Sequence, residues 1–450
     1  MLNGIFVFLI VISILLAGIT GQMQALTDAI LRDSRTAVDL SLKLIGVMAF
    51  FIGLMKVAEV AGLLRLIARA VAPVMRRLFP SVPADHPAMS AMILNIASNM
   101  LGLGNAATPF GIKAMEELDK LNGEKGTATN AMVLFLAINT AGLAVLPTGV
   151  IGLRAAAGSA DAAGIFFPTW FASGCATATG IVAAFALSRL PRFRKTEPPF
   201  VAPEPAAVSA SAGDAGPENA GGENAGDGEA ESDLANLEPP AIVWRRFAMW
   251  AFWLAFVGLA IRHVLLSRVE MAGLDLTREI MSFWVLPAIV AGMILFGWSR
   301  GVAVYEALVE GAKEGFNVAV RIIPFLVAIL VAVGMFRASG GMEIMGKVFG
   351  PLTALIGMPA EALPMAIIRP LSGSGALGIM AESMAAYGPD SLIGYMVSTF
   401  QGSTETTFYV LAVYFGAVAV KRTRHALPAC LLADTAGILA AVFIVNLMFG

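Results

Sequence analysis

Apolar runs recur along the whole chain, separated by short amphipathic or polar stretches. Each run is about twenty residues, the helical length that crosses a bilayer, whereas membrane strands alternate over about ten. The pattern predicts a first short helix at Gly4–Ile19, with neither the basic flank nor the cleavage site of a signal peptide. Met23–Arg35 sets Leu26, Ile30 and Leu31 against Asp28, Arg32 and Asp33, the pattern of a helix lying at the membrane surface. Ala37–Val57 then spans, and Gly62–Leu78, carrying Arg65, Arg69, Arg76 and Arg77, is a second interfacial helix. Met89–Ile112 is apolar but interrupted by Asn95, Ser98, Asn99, Gly102 and Asn105, which leaves open one broken crossing or a re-entrant hairpin. Ala131–Leu153 and Phe166–Leu187 span. Further on, Phe247–Leu266 and Ile280–Trp298 span, Tyr305–Glu314 is amphipathic, and Val318–Phe336 spans. Gly341–Ile356 is interfacial, Pro364–Met384 is a second broken segment, and Ile393–Val420 and Leu427–Met448 span.

Composition fixes the class. Of 450 residues 58% are hydrophobic and 14% charged, where a soluble domain carries about 25% charged residues. The mean hydropathy is +0.78. The expectation is an all-α polytopic membrane protein, built into the bacterial cytoplasmic (inner) membrane. One stretch departs from this. Residues 191–240 are rich in Pro, Ala, Gly and Glu, with the near-repeat Pro217-Glu-Asn-Ala-Gly and Gly222-Glu-Asn-Ala-Gly. Such a stretch cannot bury a core and is expected to be a disordered linker. From Thr196 to Pro240 it holds ten acids and no base, and without those acids the formal net charge moves from −2 to +8. Arg189, Arg192, Arg194, Lys195, Arg245 and Arg246 at its ends place it in the cytoplasm. Cys175 and Cys430 lie in apolar runs and are read as packing residues, and three scattered His offer no metal-ligand spacing.

The elements before and after the linker follow the same order. Gly53 falls opposite Gly334, Pro73 opposite Pro351, and Pro168 opposite Pro428. Asn95, Ser98 and Asn99 fall opposite Arg369, Ser372 and Gly373, and Asn139-Thr140 opposite Gln401-Gly402. The division expected is a first repeat over 1–190, the linker at 191–240, an extra helix within 241–279, and a second repeat over 280–450. If the broken segments are hairpins, the extra helix inverts the second repeat, giving nine crossings. Repeats of this kind, with partly unwound helices meeting at their interface, form the sites of many secondary transporters.

Polar groups at bilayer depth survive only when buried in protein or lining a wet cavity, and ionisable ones mark function. On that ground the candidate solute-binding residues are Asn95, Ser98, Asn99, Asn105, Asn139 and Thr140 in the first repeat. Their counterparts are Arg369, Ser372, Ser374, Gln401, Ser403 and Thr404 in the second. Glu405, Thr406 and Asp434 are the candidate ion-coupling residues, since a carboxylate among hydroxyls and loosened carbonyls suits Na⁺ or a proton. Alternatives stand beside each of these. Ser372-Gly-Ser374-Gly could be small-residue packing, Asn139 a helix–helix hydrogen bond, and Glu405 a structural ion pair for Arg369.

The residues from Met1 to about Arg194 resemble the spore maturation protein A family. They carry Leu94-Asn95-Ile-Ala-Ser98-Asn99, Gly102-Leu-Gly104-Asn105-Ala-Ala-Thr108-Pro109 and Leu146-Pro147-Thr148, then Ile151-Gly-Leu-Arg154. From about Ile280 to Gly450 the chain resembles the spore maturation protein B family, through Arg369-Pro-Leu-Ser372-Gly-Ser374-Gly and Gln401-Gly-Ser403-Thr404-Glu405-Thr406-Thr407-Phe-Tyr409. Both are nucleoside recognition (Gate) domains, which also occur in concentrative nucleoside transporters and in the membrane part of ferrous iron transport protein B. The resemblance implies hairpins and unwound helices around a central site, with one subdomain moving against a scaffold. No Gly-x4-Gly-Lys-Ser/Thr loop is present, so an iron transporter's GTPase is missing, and HExxH is absent too. The reading is a non-enzymatic secondary transporter of a small polar or anionic solute (nucleoside-like, amino acid or organic acid). Its coupling ion would be Na⁺ or H⁺. The rival is a membrane assembly or envelope-maturation factor. No cofactor is expected besides such an Na⁺, the partners are a small solute and the bilayer rather than nucleic acid, and homo-oligomerisation is expected by analogy alone.

Overall fold

The computed structural model describes residues 2–102, 107–145, 147–201, 243–267, 276 and 279–450. Among them the chain is helical, with two isolated bridges (Asn122–Phe200 and Thr127–Arg422) as its only extended pairings. The first half comprises α1 (Leu2–Thr20), α2 (Met23–Val60), α3 (Leu63–Leu78), α4 (Pro87–Leu101), α5 (Ala107–Lys120), α6 (Asn130–Thr140), α7 (Thr148–Ala156) and α8 (Phe166–Ser188). An unmatched helix, α9 (Val243–Ser267), follows. The second half comprises α10 (Val285–Ser299), α11 (Val304–Ala338), α12 (Gly341–Ala354), α13 (Leu363–Ile368), α14 (Gly373–Tyr387), α15 (Leu392–Ser403), α16 (Thr407–Ala417) and α17 (Ala426–Phe449). α10 is entered through a π-helical turn, Ile280–Trp284. Five helices, α2, α8, α9, α11 and α17, are long and apolar enough to cross a membrane unbroken.

The order α1 to α8 maps one for one onto α10 to α17. α2 and α11 correspond, and each turns through a left-handed glycine (Gly62 at φ 80°, Gly340 at φ 82°) into α3 or α12. Corresponding helices run antiparallel. Along α2 and α11, Gly53 meets Leu308 at one end while Gly334 meets Asp33 at the other. Along α8 and α17, Gly180 faces Ala433, Gly437 faces Ala176, and Phe171 lies 6.2 Å from Phe443. The two repeats are therefore inverted with respect to each other.

Lipid gives helices little apolar reason to associate, so close backbone approach does that work. The α2–α11 seam is glycine-lined for this reason: a Cβ at Gly311 would lie 2.6 Å from Lys56 Cβ and 2.8 Å from Gly53 Cα. One at Gly315 would lie 2.6 Å from Ala49 Cα. One buried apolar cluster draws on both repeats, from Leu44 and Phe51 through Leu330 and Met365 to Phe400 and Val445. A second gathers Met75, Phe79, Met92, Met115, Phe135, Tyr414 and Cys430 around the base of the first hairpin.

The structure corrects several expected boundaries. Met23–Arg35 is not a separate surface helix; it continues unbroken into the span as the 38-residue α2. Tyr305–Glu314 likewise continues into the 35-residue α11. In α2 no glycine or proline separates the amphipathic and apolar parts, and in α11 the helix runs on through Gly315. At 1.5 Å per residue α2 is about 57 Å long, so its polar end projects beyond the hydrocarbon. Ala131–Leu153 and Ile393–Val420 are each interrupted, between Thr140 and Thr148 and between Ser403 and Thr407. The two broken segments are hairpins: Asn95 Nδ2 donates to Ala107 O at 2.8 Å, a contact that a straight helix could not make over that separation. Ordered structure also extends past the expected start of the linker. Pro191–Arg194 is helical, and Pro199 and Val201 bond back to Gly123 and Leu121. The remainder of the expected linker lies outside the described residues.

Candidate functional site

Two helices are broken in the middle, and their breaks touch. Glu405 N, in the break between α15 and α16, donates to Thr140 O, at the end of α6, across 2.7 Å. Gly142 sits against this contact with a positive φ of 55°, and a Cβ there would come within 3.1 Å of Glu405 N and Thr404 C. A side chain would push the two breaks apart. The crossing therefore juxtaposes free carbonyls of one repeat with the polar run Ser403 to Thr407 of the other.

Each hairpin tip is fastened to the break of its own repeat. In the first, Val145 N donates to Met100 O at 2.7 Å and Asn99 Nδ2 to Asn139 Oδ1 at 2.9 Å. In the second, Phe408 N donates to Pro370 O at 3.1 Å. The Ser372 hydroxyl caps α14 by accepting from Gly375 N at 3.0 Å, with Ser374 Oγ 3.5 Å away. That is ordinary N-cap chemistry, so part of the Ser-Gly-Ser-Gly signal is spent on starting a helix.

Arg369 is the hub of the second hairpin tip. Its side chain is 3% exposed, and its guanidinium donates to Gln401 O (3.1 Å), Thr404 O and Thr406 Oγ1 (3.2 Å). The first two are carbonyls that α15, ending here, leaves without an intrahelical partner. Glu405 stands 3.7 Å from the same guanidinium but is 57% exposed. The pair is loose, and the carbonyls, not Glu405, hold the arginine. An ionisable group at a helix break in a membrane chain is a functional-site candidate.

The remaining candidates divide. Asp434 is buried on α17 and accepts from Thr407 Oγ1 at 2.7 Å, leaving its other oxygen without a protein partner. Gln401 Oε1, Thr404 Oγ1 and Ser98 Oγ are likewise buried and unbonded, and buried polar atoms of that kind call for an occupant. Asn139 bonds back to Phe135 O as well as to Asn99, and Ser403 bonds weakly to Phe400 O at 3.5 Å. Asn95, Ser98 and Asn99 lie on the arm α4 and not at the tip, so their expected alignment with Arg369 and Ser372 is out of register. In the order of elements it is the junction of α4 and α5 that corresponds to the junction of α13 and α14. Asn105 lies outside the described residues. No group of three or more His, Cys, Asp or Glu is found among the described residues.

Two groups escaped the sequence reading. Tyr414 closes the first hairpin: its hydroxyl meets Asn95 Nδ2 at 3.2 Å, its ring stacks on Phe135 at 6.0 Å, and Gly111 leaves room for it. Nothing distinguishes it in sequence from its apolar neighbours. Arg154, fully buried at the end of α7, donates to Pro389 O, Ser398 Oγ, Ser159 Oγ, Asp161 O and Asp390 Oδ1 and lies 4.2 Å over the Tyr395 ring. A lone arginine in an apolar stretch was the signal. At the opposite end of the bundle Arg424 plays the mirror part, donating to Ala128 O and Asn130 Oδ1 at the entry of α6. Each clamp ties the loop that follows one broken helix to the start of the other. Next to Arg424, burial and the arginine's charge push the His425 imidazole down to about 4.

The nucleoside recognition (Gate) family model matches residues 41–157 and 319–421, once in each repeat. Spore maturation protein B of Bacillus subtilis (strain 168) is 49% identical over 170 residues, 38% of this chain and 96% of that protein. Spore maturation protein A of the same organism is 42% identical over 173 residues, 38% of this chain and 88% of its own length. The inner membrane protein YjiG of Escherichia coli (strain K12) is 30% identical over 96 residues, 21% of this chain and 61% of that protein. No solved structure gives a significant match. Spanning helices and relatives of these names make this a multi-pass bacterial membrane protein. With both repeats matched and both relatives covered nearly end to end, the chain belongs to the nucleoside recognition (Gate) family as a spore maturation protein A/B-like fusion.

Proposed function

We propose that the protein is a secondary transporter whose site is the crossing of the two broken helices. The observation that carries the reading is the contact of the breaks through Thr140 O and Glu405 N inside an inverted repeat, with an exposed carboxylate and several unbonded buried oxygens around it. Discontinuous helices at a repeat interface supply partial charges and free carbonyls for ions and polar solutes without dragging unsatisfied backbone into lipid. Glu405 and Asp434 flank this crossing as the coupling carboxylates, binding H⁺ or Na⁺. Gln401, Thr404, Asn139 and Thr140 supply neutral donors and acceptors for the solute. Arg369, occupied by carbonyls, holds the break open and is not free to grip an anion by a bidentate fork. That favours an uncharged polar solute, and the family description makes nucleosides the first class to try. In this reading the linker lies in the cytoplasm, which its positively charged flanks support.

The direct test is uptake into proteoliposomes under imposed Na⁺ or pH gradients, with nucleosides, amino acids and organic acids as solutes. Glu405→Gln is expected to abolish gradient-driven uptake while leaving solute binding measurable. Uptake and ion dependence unchanged in that variant would remove the coupling role. The relatives' names supply a second reading, a factor in spore or envelope maturation that moves nothing. Under that reading no solute in the panel raises the thermal stability of the purified protein, whereas a bound solute stabilises by mass action.

A further inference from the structure

α9 has no counterpart in either repeat, and it touches the bundle along one side only. Trp253 packs over Gly292 of α10, Phe256 lies 5.4 Å from Trp284, and Trp244 lies edge-on to Trp298 at 5.2 Å. Behind this contact, between α9, α10, α3 and the tip of the first hairpin, lies a crevice of about 1090 Å³. That is slightly more than the roughly 300–1,000 Å³ typical of small-ligand sites. Its walls are hydrocarbon and aromatic: Leu63, Ile67, Met249, Trp250, Ile289 and Phe296. Its inner end meets Leu101, Val145 and Trp170, at the first hairpin and the first helix break.

The other end is cationic. Arg246 opens α9 and Arg300 closes α10, so both stand at the end of the bundle from which the linker emerges, and both line the crevice. Among the described residues neither belongs to any of the ion pairs, and Arg300 rests over the Phe296 ring at 5.3 Å. Arg245 is different: it is held between Trp244 and Trp298 and donates to Trp298 O at 3.2 Å. A polar solute would find no partner along these walls, and an apolar one would leave both arginines idle. The occupant that satisfies both ends has a long hydrocarbon tail and an anionic head, and tryptophans beside basic residues mark headgroup depth.

We propose that this crevice is a binding site for an acidic phospholipid, an acyl chain lying against Leu63, Trp250 and Ile289 and the phosphate held by Arg246 and Arg300. The site does not depend on the transport reading. Its inner end gives it reach, however. Val145 N bonds Met100 O, and Val145 O accepts from Trp170 Nε1 at 2.8 Å, so the tail ends where the first hairpin is fastened.

The test uses the full chain, purified and stripped of lipid, then placed in nanodiscs of phosphatidylcholine with or without phosphatidylglycerol. Bound lipid is counted by native mass spectrometry and stability followed by thermal melting. The wild type is expected to retain phosphatidylglycerol preferentially and to melt higher in its presence. Each basic contact is worth about a 5-fold preference, so the double variant Arg246→Gln/Arg300→Gln should lose roughly 30-fold and melt alike in both lipids. Ala288→Trp, which fills the crevice, should lose retention of phosphatidylglycerol and phosphatidylcholine together. The arginine variant, changed only at the rim, decides the matter even if the tryptophan variant misfolds. Equal phosphatidylglycerol retention by wild type and double variant would overturn the proposal. So would equal stabilisation by inorganic phosphate alone, which would reduce the site to a headgroup-sized anion site.

Discussion

Replacing Arg369 should damage the fold far more than replacing its apparent ionic partner. In Arg369→Gln, the buried carbonyls of Gln401 and Thr404 lose their donor, and so does Thr406 Oγ1. A buried acceptor left unmade costs about 1–3 kcal/mol, and the positive charge at the end of α15 contributes about another 0.3–1 kcal/mol. The expected loss is about 3–5 kcal/mol, softened if glutamine recovers one bond. Glu405→Gln removes only a 3.7 Å pair whose acid is 57% exposed, and such pairs are worth about 0–1 kcal/mol. Extending the size scaling of melting to this chain gives about 1–2 °C per kcal/mol. Thermal melting in detergent should then show a fall of roughly 3–10 °C for Arg369→Gln and under roughly 2 °C for Glu405→Gln. The double variant should melt like Arg369→Gln alone. Equal falls for the two single variants, or strong coupling between them, would refute the hub and restore a structural ion pair. A normal melting point for Arg369→Gln with loss of solute-induced stabilisation would instead make the arginine a ligand.

Gly311→Val should cost about 1–3 kcal/mol or more by overpacking the α2–α11 seam, seen as a lower melting point or loss of monodisperse protein. Gly258→Ala, on α9 where a Cβ meets nothing within 4 Å, is the silent control. Arg154→Lys should lower the melting point by an amount equivalent to about 3–5 kcal/mol, because a buried network loses its fork while Asp390 stays, and Asp390→Asn in the same background should add little. His425, neutral when folded and titrating near 4, binds a proton more readily in the unfolded chain. Stability is therefore full above about pH 6.5 and falls as pH drops toward 4, by up to about 3 kcal/mol in all. His425→Phe should flatten that part of the melting-point-versus-pH curve.

The repeat and its hairpins were legible because polar residues at bilayer depth are costly and so stand out: Arg369, Gln401 and Glu405 fall at or beside breaks, and Asn95 and Asn99 on the arm that leads to one. Lengths were less legible. Nothing in composition marks where α2 leaves the membrane, since its amphipathic and apolar parts share one helical phase with no glycine or proline between them. Register failed in the first hairpin because the polar residues sit on its arm, while in the second they form the tip. Function was harder to tell from packing. Arg369 stands in the sequence as a solute-binding candidate, yet its guanidinium is taken up by carbonyls, and the weight of Tyr414 and Arg154 comes from residues hundreds of positions away.

Three of the four fastenings at the centre, Val145 to Met100, Phe408 to Pro370 and Glu405 to Thr140, are main chain to main chain; the fourth joins the Asn99 and Asn139 side chains. Main-chain bonds are blind to side-chain identity. A lineage could exchange Gln401 or Thr404 and so redraw what the crossing recognises, while the main-chain frame that sets the distance between the breaks stays put. Family members that share this frame are then free to differ in cargo, and sequence identity over the hairpins would report shared architecture rather than a shared solute.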